Sequence, residues 1–489
     1  MRTGRALVGG RWRETAERFA VTDPATGETI AEVAECGAEL TVEAVDAASA
    51  ALPGWRAMPA HERAAIMRQA AALLAARARE IGAVMTAEQG KPLAEAAGEV
   101  VAGADHLLWA AEETRRVYGE TIPSTGADTR MWLLPEPVGV VAGITPWNFP
   151  VSMITRKLGP ALAAGCTVVL KPSELTPMSA IAVAECLTEA GFPPGVFNLV
   201  TTTRPEEFAG VVMADSRVRK VSFTGSTAVG RELIRRSADD VKRLSVELGG
   251  HAPVLVFPDA DVAAAAAGVA RSKFMNAGQA CTSPNRVYVH ESVAAEFVDE
   301  LVKLAEAVTV GAGAEPGVTM GPLIDDRAVA KVGRHVEDAL AHGARLATTR
   351  REGPGRFVPP MVLTGVTDAM LVCREETFGP VAPVLTFGAG PKDAENAGGV
   401  QDGDVAGVLA RANATPYGLA AYLWTRDLAR TVRVCEELQF GIVSVNGAPL
   451  APPQGPFGGI KGSGYGREGG HHGVEDFVEY KYVSVGLGR

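Results

Sequence analysis

The spacing of hydrophobic residues changes once within the first quarter of the chain. Residues 1–40 alternate short apolar runs with polar turns such as Asp23-Pro-Ala-Thr-Gly27, which predicts short strands. From residue 41 to 119 the apolar residues recur at helical spacing, most clearly in the alanine-rich stretches Ala64–Ala76 and Ala94–Ala111. A small β region followed by several helices is therefore expected.

From residue 138 to 249, apolar strand-like runs alternate with helical segments, the pattern of βαβ units in a parallel sheet. Three of the four runs lead directly into polar segments. Ligands bind beyond the carboxyl ends of the strands in an open parallel sheet, so a binding site is expected at that edge. The runs are Gly139–Ile144, Cys166–Leu170, Gly195–Val200 and Val218–Phe223, and the polar segments are Thr145–Pro150, Lys171–Glu174 and Thr224–Gly230.

A second alternating series begins after Gly250 and predicts a second α/β unit. Its helices are expected over Val262–Asn276 and Val293–Val308, while Gly388–Asp404 is interpreted as a surface loop of no catalytic value. The strand-like runs are Ala252–Phe257, Arg286–His290, Val381–Phe387, Ala420–Thr425 and Gly441–Asn446.

Two further segments predict a small β element. Residues 119–137 resemble two strands flanking a turn, and residues 477–484 alternate like a strand that could pair with them. A hairpin that projects from the body is a natural oligomer contact.

Composition narrows the class of protein. The 489 residues suggest roughly three compact units, and 47% hydrophobic with 21% charged residues is typical of a globular protein. There is no apolar run long enough for a transmembrane helix and no signal-peptide core at the start. The net charge of −10 argues against nucleic acid or an anionic membrane as partner. Six scattered cysteines without a C-x-x-C pair indicate a reduced, cytoplasmic enzyme without disulfides or a metal site.

Cys281 is the first candidate for chemistry. It lies in Asn276-Ala-Gly-Gln-Ala-Cys281-Thr-Ser-Pro284, among small and polar residues rather than in an apolar periodic run. Gly278 permits a tight turn and a close approach to the thiol. A thiol at its ordinary pKa is only slightly ionised at neutral pH, so a nucleophilic Cys281 needs partners nearby. An inert free thiol is the alternative interpretation.

Two other residues offer complementary chemistry. Glu247, in Glu247-Leu-Gly-Gly250, could swing between positions as a base, or it could be a surface glutamate that closes a helix. Asn148 is held between Pro146 and Pro150, where its amide could stabilise an oxyanion or simply complete a turn.

A third set of residues suits a cofactor. Gly225-Ser-Thr-Ala-Val-Gly230 runs from a strand into a helix and can hold a phosphate, although it is not the G-x-G-x-x-G fingerprint. Glu174 could accept hydrogen bonds from ribose hydroxyls, with Lys171 as an added donor.

With these residues in place, the chain is similar to the aldehyde dehydrogenase superfamily over essentially its whole length. Within it, Met153–Pro160 and Arg467–Gly470 resemble the succinic-semialdehyde dehydrogenase branch. The motifs that carry the wider resemblance are Thr145–Pro150, Lys171–Glu174, Phe223–Gly230, Glu247–Gly250, Gly278–Cys281, Glu375–Pro380, Asn413–Leu419 and Pro456–Gly464.

The resemblance implies an α/β architecture with three parts. They are a Rossmann-like dinucleotide-binding domain (1–118 and 138–249), an α/β catalytic domain (250–447) and a small β bridging element for oligomerisation (119–137 and 465–489). A homodimer or homotetramer is expected.

The resemblance also implies a mechanism. Cys281 would attack an aldehyde, Asn148 and the Cys281 N–H would hold the oxyanion, and Glu247 would activate water to hydrolyse the resulting thioester. NAD is expected over NADP because Glu174 would repel a 2′-phosphate, although Lys171 softens that repulsion. The residues expected at the dinucleotide are Trp147, Lys171, Ser173, Glu174, Thr224, Gly225, Ser226, Glu376 and Phe378.

The substrate side departs from the branch pattern. Arg156 matches an arginine that binds a carboxylate tail, or it is a surface or structural arginine. A second such arginine is replaced by Met275, the serine expected before Pro456 is absent, and Ser283 replaces a second cysteine. The residues expected at the substrate are Phe149, Arg156, Met275, Ala280, Thr282 and Phe457.

Three other functions stay open at this point. A CoA-acylating aldehyde dehydrogenase would not need Glu247 as a base, and a cysteine-dependent ester hydrolase would leave the dinucleotide motifs without a role. A non-catalytic relative would not need Cys281, Glu247 and Asn148 together.

Overall fold

The computed structural model describes residues 2–349, 353–388, 402–448 and 450–488. The strands, in chain order, are β1 (Arg2–Gly4), β2 (Ala6–Val8), β3 (Arg11–Arg13), β4 (Arg18–Thr22), β5 (Thr29–Ala34), β6 (Glu120–Ile122), β7 (Thr129–Pro137), β8 (Val140–Ile144), β9 (Thr167–Lys171), β10 (Phe197–Leu199), β11 (Val218–Thr224), β12 (Arg243–Glu247), β13 (Ala252–Val256), β14 (Pro284–His290), β15 (Arg345–Leu346), β16 (Met361–Thr364), β17 (Val381–Phe387), β18 (Ala420–Trp424), β19 (Ile442–Val445), β20 (Gly464–Tyr465) and β21 (Val478–Gly486).

The helices lie between these strands along the chain. They are α1 (Ala38–Ala57), α2 (Ala60–Ala76), α3 (Ala78–Gln89), α4 (Leu93–Glu113), α5 (Ser152–Ala164), α6 (Pro177–Glu189), α7 (Pro205–Ala214), α8 (Thr227–Ser237), α9 (Val262–Phe274), α10 (Glu291–Glu306), α11 (Asp326–Ala341), α12 (Leu371–Arg374), α13 (Asp402–Asn413), α14 (Leu428–Glu437) and α15 (Gly470–Glu475).

The first large sheet has the order β20-β12-β11-β8-β9-β10-β2-β3, with parallel pairing from β12 to β10 and antiparallel strands at both edges. Both faces are covered. Val141 and Val168 belong to the core shared with helices α2 to α6, whereas their neighbours Val140 and Val169 belong to the core on the α1 and α7 side. This alternation explains why the strands contain continuous apolar runs.

The second large sheet has the order β15-β16-β17-β14-β13-β18-β19 and is parallel except at the β15 edge. It contains the largest cluster of buried hydrophobic residues, including Val254, Val287 and Leu423. The carboxyl end of β12 in the first sheet leads through Gly249 and Gly250 into β13 of this sheet. The two sheets are therefore joined at the loops where ligands are expected.

Two small sheets complete the structure. One has the order β1-β5-β4, and the other has the order β21-β7-β6. In the latter, β21 pairs antiparallel with β7 from Val478↔Pro137 to Gly486↔Thr129, which confirms the predicted pairing of the C-terminal strand with the hairpin. None of the helices in the described part of the chain is long and apolar enough to cross a lipid bilayer.

Some expectations need correction. Strand β12 was not predicted, because Arg243-Leu-Ser-Val-Glu247 is short and ends in a charged residue. Most of the predicted loop Gly388–Asp404 lies outside the described residues, and its last three residues begin helix α13. Tyr465, assigned to the bridging element, pairs with Val246 in the first sheet. The three domain boundaries stay proposals.

Candidate active site

Two cavities meet at Cys281. One, of about 350 Å³, is bordered by helices α4 and α5 and the segment around Phe457, and it is called the tail cavity below. The other, of about 340 Å³, lies beyond the carboxyl ends of β8, β11 and β12 and is called the ring cavity. The two cavities share Cys281 and Met153. The thiol is therefore accessible from both sides.

The loop that leads to Cys281 has a strained backbone. Asn276, Ala277 and Gly278 all have φ values between 50° and 73°, in the left-handed region that costs about 1 kcal/mol or more for a residue with a Cβ. A Cβ on Gly278 would lie 2.2 Å from the Gly379 carbonyl oxygen, so only glycine fits there. The expected tight turn is present, and it brings the Cys281 loop against the segment that follows Phe378.

Hydrogen bonds fix Asn148 beside this loop. Its side-chain Nδ2 donates to the Gln279 backbone carbonyl oxygen at 3.0 Å. Its backbone carbonyl oxygen accepts from Lys91 Nζ at 2.8 Å and from Asn276 Nδ2 at 2.9 Å. Gln89 Nε2 in turn donates to Asn276 Oδ1 at 2.9 Å. Asn148 lines the ring cavity, so its amide lies on the same wall as Cys281.

The protein suppresses ionisation of the free thiol. Burial raises the pKa of Cys281 to about 12, and the negative charge of Glu376 adds to the rise, whereas Arg156 opposes it. A thiol with this pKa stays protonated at neutral pH until a base accepts its proton.

Glu247 ends strand β12 and is only 3% exposed. The alternative interpretation as a surface glutamate at a helix end is therefore wrong. Neither of its carboxylate oxygens has a hydrogen-bond partner among the described residues, and the N–H of Gly459 lies nearby but outside hydrogen-bonding geometry. Burial, followed by the charge of Glu468, raises the pKa of Glu247 well above its ordinary value.

Glu247 does not line either cavity. A Cβ on Gly458 would lie 2.9 Å from its Oε1, so the carboxylate is turned toward the Gly458 backbone. Its backbone is fixed because Gly225 N–H donates to the Glu247 carbonyl oxygen at 3.0 Å. Movement toward Cys281 must therefore come from side-chain rotation rather than from the glycines that follow.

A buried ion pair lies next to Glu247. Lys157 Nζ bonds Glu468 Oε1 at 2.5 Å and Thr224 Oγ1 at 2.6 Å, and both charged side chains are almost fully buried. Thr224, expected at the cofactor, is thus also the contact between this pair and the ring cavity.

The ring cavity contains the aromatic and acidic residues expected at a nicotinamide. The Trp147 and Phe378 rings are in edge contact, with centroids 5.7 Å apart. Glu376 Oε1 accepts from Gly250 N–H at 3.0 Å, and burial raises the pKa of Glu376 to about 7. Lys331 on α11 also lines this cavity and was not predicted.

A third cavity, of about 410 Å³, continues from the ring cavity and shares Pro146, Trp147 and Thr224–Ser226 with it. Ser226 is the N-cap of α8, and its hydroxyl accepts from Val229 N–H, so the first turn of this eleven-residue helix faces the junction of the two cavities. Lys171, Ser173 and Glu174 line the far end. The continuous groove, with a helix N-terminus at its middle, fits a dinucleotide.

The tail cavity contains the buried Arg156. Its guanidinium lies over the Phe457 ring at 4.5 Å, and its Nε donates to His106 Nε2 at 3.2 Å. It is 6% exposed and makes no ion pair with any described residue. The interpretation as a surface arginine is therefore wrong.

Most of the other residues expected at the substrate line the same cavity. Phe149, Met275 and Thr282 do so, whereas Ala280 is buried and lies outside the lining. Met275 is partly exposed, and the nearby Glu95, which also lines the cavity, accepts a hydrogen bond from Asn276 N–H at 3.0 Å. Lys91, which also lines the cavity, is paired with Glu99 at 2.5 Å.

Several charged or polar residues of the site were not predicted. His106, Lys157 and Lys91 contact partners that are 50, 311 and 57 positions away along the chain, so no local pattern reveals them. The only sequence signal was Arg467–Gly470, which was noted as a motif without a role for Glu468. Among the described residues, no cluster of His, Cys, Asp and Glu could hold a metal ion.

Comparison with known proteins gives one consistent result. The model of the aldehyde dehydrogenase family matches residues 12–483. The chain is 47% identical to succinate-semialdehyde dehydrogenase [NADP(+)] GabD of Escherichia coli, covering 99% of this chain and 98% of that protein. It is 46% identical to 3-sulfolactaldehyde dehydrogenase of Pseudomonas putida, covering 98% and 96%. An aldehyde dehydrogenase crystal structure from Brucella melitensis biovar abortus superposes with a TM-score of 0.94 at 46% identity, covering 99% and 98%.

The raised pKa of Cys281 predicts an unusual pH dependence of alkylation in the cofactor-free protein. With a pKa of about 12, roughly 0.01% of the thiol is ionised at pH 8. The rate of iodoacetamide labelling at Cys281, followed by mass spectrometry, should rise about tenfold per pH unit from 7 to 9.5. The Cys281→Ser variant gives the background from other cysteines, and a plateau between pH 8 and 9 would contradict the prediction.

Proposed function

The chain belongs to the aldehyde dehydrogenase family and oxidises an aldehyde to the carboxylic acid, and from that premise we propose that Cys281 is the nucleophile for a short semialdehyde with an anionic tail. The observation that carries the proposal is the position of Cys281 between two cavities of different chemistry. The tail cavity presents a buried cation, and the ring cavity presents aromatic rings and a carboxylate.

In the first step the Cys281 sulfur attacks the carbonyl carbon and forms a thiohemiacetal. The oxyanion accepts hydrogen bonds from Asn148 Nδ2 and the Cys281 N–H. Because the thiol is protonated at neutral pH, its proton must pass to a base. Solvent that reaches Cys281 through either cavity would accept this proton, so Glu247 is kept as the base for the later hydrolysis.

A dinucleotide, when bound, would supply its nicotinamide as the hydride acceptor needed to convert the thiohemiacetal on Cys281 to a thioester. Glu376 would hold the adjacent ribose, while Trp147 and Phe378 flank the ring position. The first turn of α8, from Ser226, would hold the diphosphate, and Lys171, Ser173 and Glu174 would contact the adenosine half.

Glu247 then activates the water that hydrolyses the thioester. This step requires the side chain to rotate from its position near Gly458 toward the sulfur. A buried carboxylate that can rotate toward the nucleophile and activate water favours hydrolysis over transfer to coenzyme A, which needs no such base. An ester hydrolase would have no use for the continuous groove of the ring and third cavities.

The anionic tail follows from Arg156. A buried guanidinium without an ion pair is costly, and a carboxylate or sulfonate on the substrate would compensate its charge. The relatives named above act on aldehydes that carry such groups, by their names. Met275 stands where the branch has a second arginine, so one arginine rather than two would anchor the tail. Burial raises the pKa of Glu95 in the same cavity, which favours the neutral form that would not repel an anion.

For the cofactor we propose NAD over NADP. The third cavity is lined by two cations, Lys171 and Arg236, and each already bonds a carboxylate, Glu174 at 3.0 Å and Glu232 at 2.9 Å. Glu206 adds a further negative charge. A 2′-phosphate would therefore meet net negative charge. The Escherichia coli relative is named for NADP(+), so both cofactors must be compared.

We also propose that the sheet of β6, β7 and β21 is the contact between subunits of a homodimer or homotetramer. Trp132, Leu134, Tyr480 and Tyr482 are each more than a third exposed, Trp132 and Leu134 on one face of this sheet and Tyr480 and Tyr482 on the other. Exposed apolar side chains grouped on one element are typical of a protein interface.

Glu247→Gln should separate the two chemical steps. Hydride transfer should still occur once per site, and hydrolysis should then stall, because an amide cannot activate water. Stopped-flow absorbance should show a burst of NADH followed by a slow phase, and Cys281→Ala should give neither phase while still binding NAD. Linear progress at the wild-type rate would remove Glu247 from deacylation.

Arg156→Gln should raise KM for a four-carbon semialdehyde with a carboxylate tail by at least about 30-fold, since a buried charge-assisted contact is lost. KM for a neutral aldehyde of the same length should change little. Steady-state NADH formation measures both, with the exposed Arg115→Gln as the control. Equal changes for both aldehydes would rule out the tail contact.

Glu174→Gln should increase kcat/KM with NADP relative to NAD by about tenfold, because it removes a repulsive charge and frees Lys171 for a phosphate. Glu185→Gln, which removes an exposed carboxylate on α6 that does not line this cavity, is the matched control. In the wild-type protein kcat/KM should be higher with NAD, and equal or better efficiency with NADP would refute the proposed preference.

A further inference from the structure

His335 lies behind the ring cavity on helix α11 and is fully buried. Its Nδ1 is 3.2 Å from Thr377 Oγ1, and its Nε2 is 3.3 Å from Glu375 Oε2. The two contacted residues flank Glu376 in the chain. No part of the mechanism above uses this histidine.

Chemistry fixes the direction of these hydrogen bonds. The carboxylate of Glu375 only accepts, so Nε2 carries the hydrogen and donates to it. In the neutral imidazole Nδ1 then accepts, and the Thr377 hydroxyl donates to it. Burial lowers the pKa of His335, which keeps the ring in this neutral state. One ring therefore satisfies both side chains at once.

The backbone explains why Glu376 is affected. Glu375 has an extended conformation (φ −115°, ψ 141°), and consecutive side chains of an extended segment point to opposite sides. Glu375 and Thr377 point toward α11 and His335. Glu376, between them, points toward the ring cavity, where Gly250 N–H donates to its carboxylate.

The next residue makes the same segment sensitive to displacement. Phe378 has φ +57°, a left-handed conformation that costs about 1 kcal/mol or more for a residue with a side chain. It persists only where surrounding contacts hold it. Helix α11 supplies these contacts, since Val332 packs so closely on Gly379 that a Cβ there would lie 2.3 Å from Val332 Cγ2.

The remaining polar contact from α11 is weaker. Arg334 bonds Glu375 Oε2 at 2.8 Å, but both side chains are about half exposed. Exposed ion pairs of this kind contribute little. His335 instead holds two side chains of the segment, through a buried hydrogen bond to Thr377 and a partly buried one to Glu375.

We propose that His335 is a positioning residue that sets the orientation of Glu376 and Phe378 for the ribose and ring of the bound nicotinamide. It acts through Glu375 and Thr377 and does not touch the cofactor. The inference rests on the proposed role of Glu376. It assigns a function to a buried residue outside the cavities, and it limits the effect to the nicotinamide half of the cofactor.

Binding of NAD and of AMP distinguishes this role from a general structural one, because AMP occupies only the third cavity. His335→Leu keeps the packing and removes both hydrogen bonds. It should weaken NAD binding and raise KM for NAD by about tenfold, with the Kd for AMP unchanged. His335→Gln, which retains a donor for Glu375, should restore part of the affinity. His342→Gln, at the exposed end of the same helix, is the control.

Thr377→Val tests the other hydrogen bond without altering the histidine and should also weaken NAD binding selectively. Because Thr377 also lines the ring cavity, Thr377→Ser, which keeps the hydroxyl, is its matched control and should bind NAD like the wild type. Wild-type NAD affinity in both Thr377→Val and His335→Leu would overturn the inference, as would an equal loss of NAD and AMP binding. Glu376→Gln separates the two levels of the proposal. If it binds NAD normally, the assignment of Glu376 to the cofactor fails. If it weakens NAD binding while the His335 variants do not, only the positioning role fails.

Discussion

The site depends on the hydrogen bonds that meet at Asn148. Its carbonyl oxygen is held by Lys91 and Asn276, and its amide nitrogen is held by the Gln279 carbonyl two residues before Cys281. These bonds tie the loop after β8, in the first sheet, to the cysteine loop that follows α9, in the second unit. Without these hydrogen bonds, Cys281 and the oxyanion donor Asn148 would lie on two loops that are not tied to each other. The strained backbone of Asn276 and Ala277 is the cost of that connection.

Around the hydrogen bonds of Asn148 the protein buries more charged side chains than a typical hydrophobic core contains. Glu247, Arg156 and the Lys157–Glu468 pair are all buried. Burial raises the pKa of Glu247 and lowers the pKa of Arg156, and both shifts favour the neutral form of the side chain. Desolvated charges interact strongly over short distances. The unpaired Arg156 therefore favours a substrate that brings the missing negative charge. The same burial that reduces stability makes the site selective.

Much of this arrangement follows from the sequence, because strand and helix periods and the polar segments after strands are local signals. They place Asn148, Lys171 and Thr224 at one sheet edge, and the fold confirms it. The burial and the contacts of individual side chains do not follow from local signals in the same way. Glu247 looked like a helix end because β12 is short, and nothing near His335 or His106 in the chain reveals that they meet Glu375 or Arg156. Such contacts join residues that only the completed packing brings together, so spacing within a segment does not encode them.

Cys281 and Met153 form the partition between the tail cavity and the ring cavity. A covalent inhibitor could therefore reach the same sulfur by either of two routes. Along the cofactor route it would meet a groove whose chemistry any dinucleotide enzyme must provide. Along the aldehyde route it would meet Arg156, a buried cation that makes no ion pair with any described residue, together with Met275. An electrophile with a small anionic group, delivered from that side, would gain its selectivity from the substrate and leave the cofactor in place.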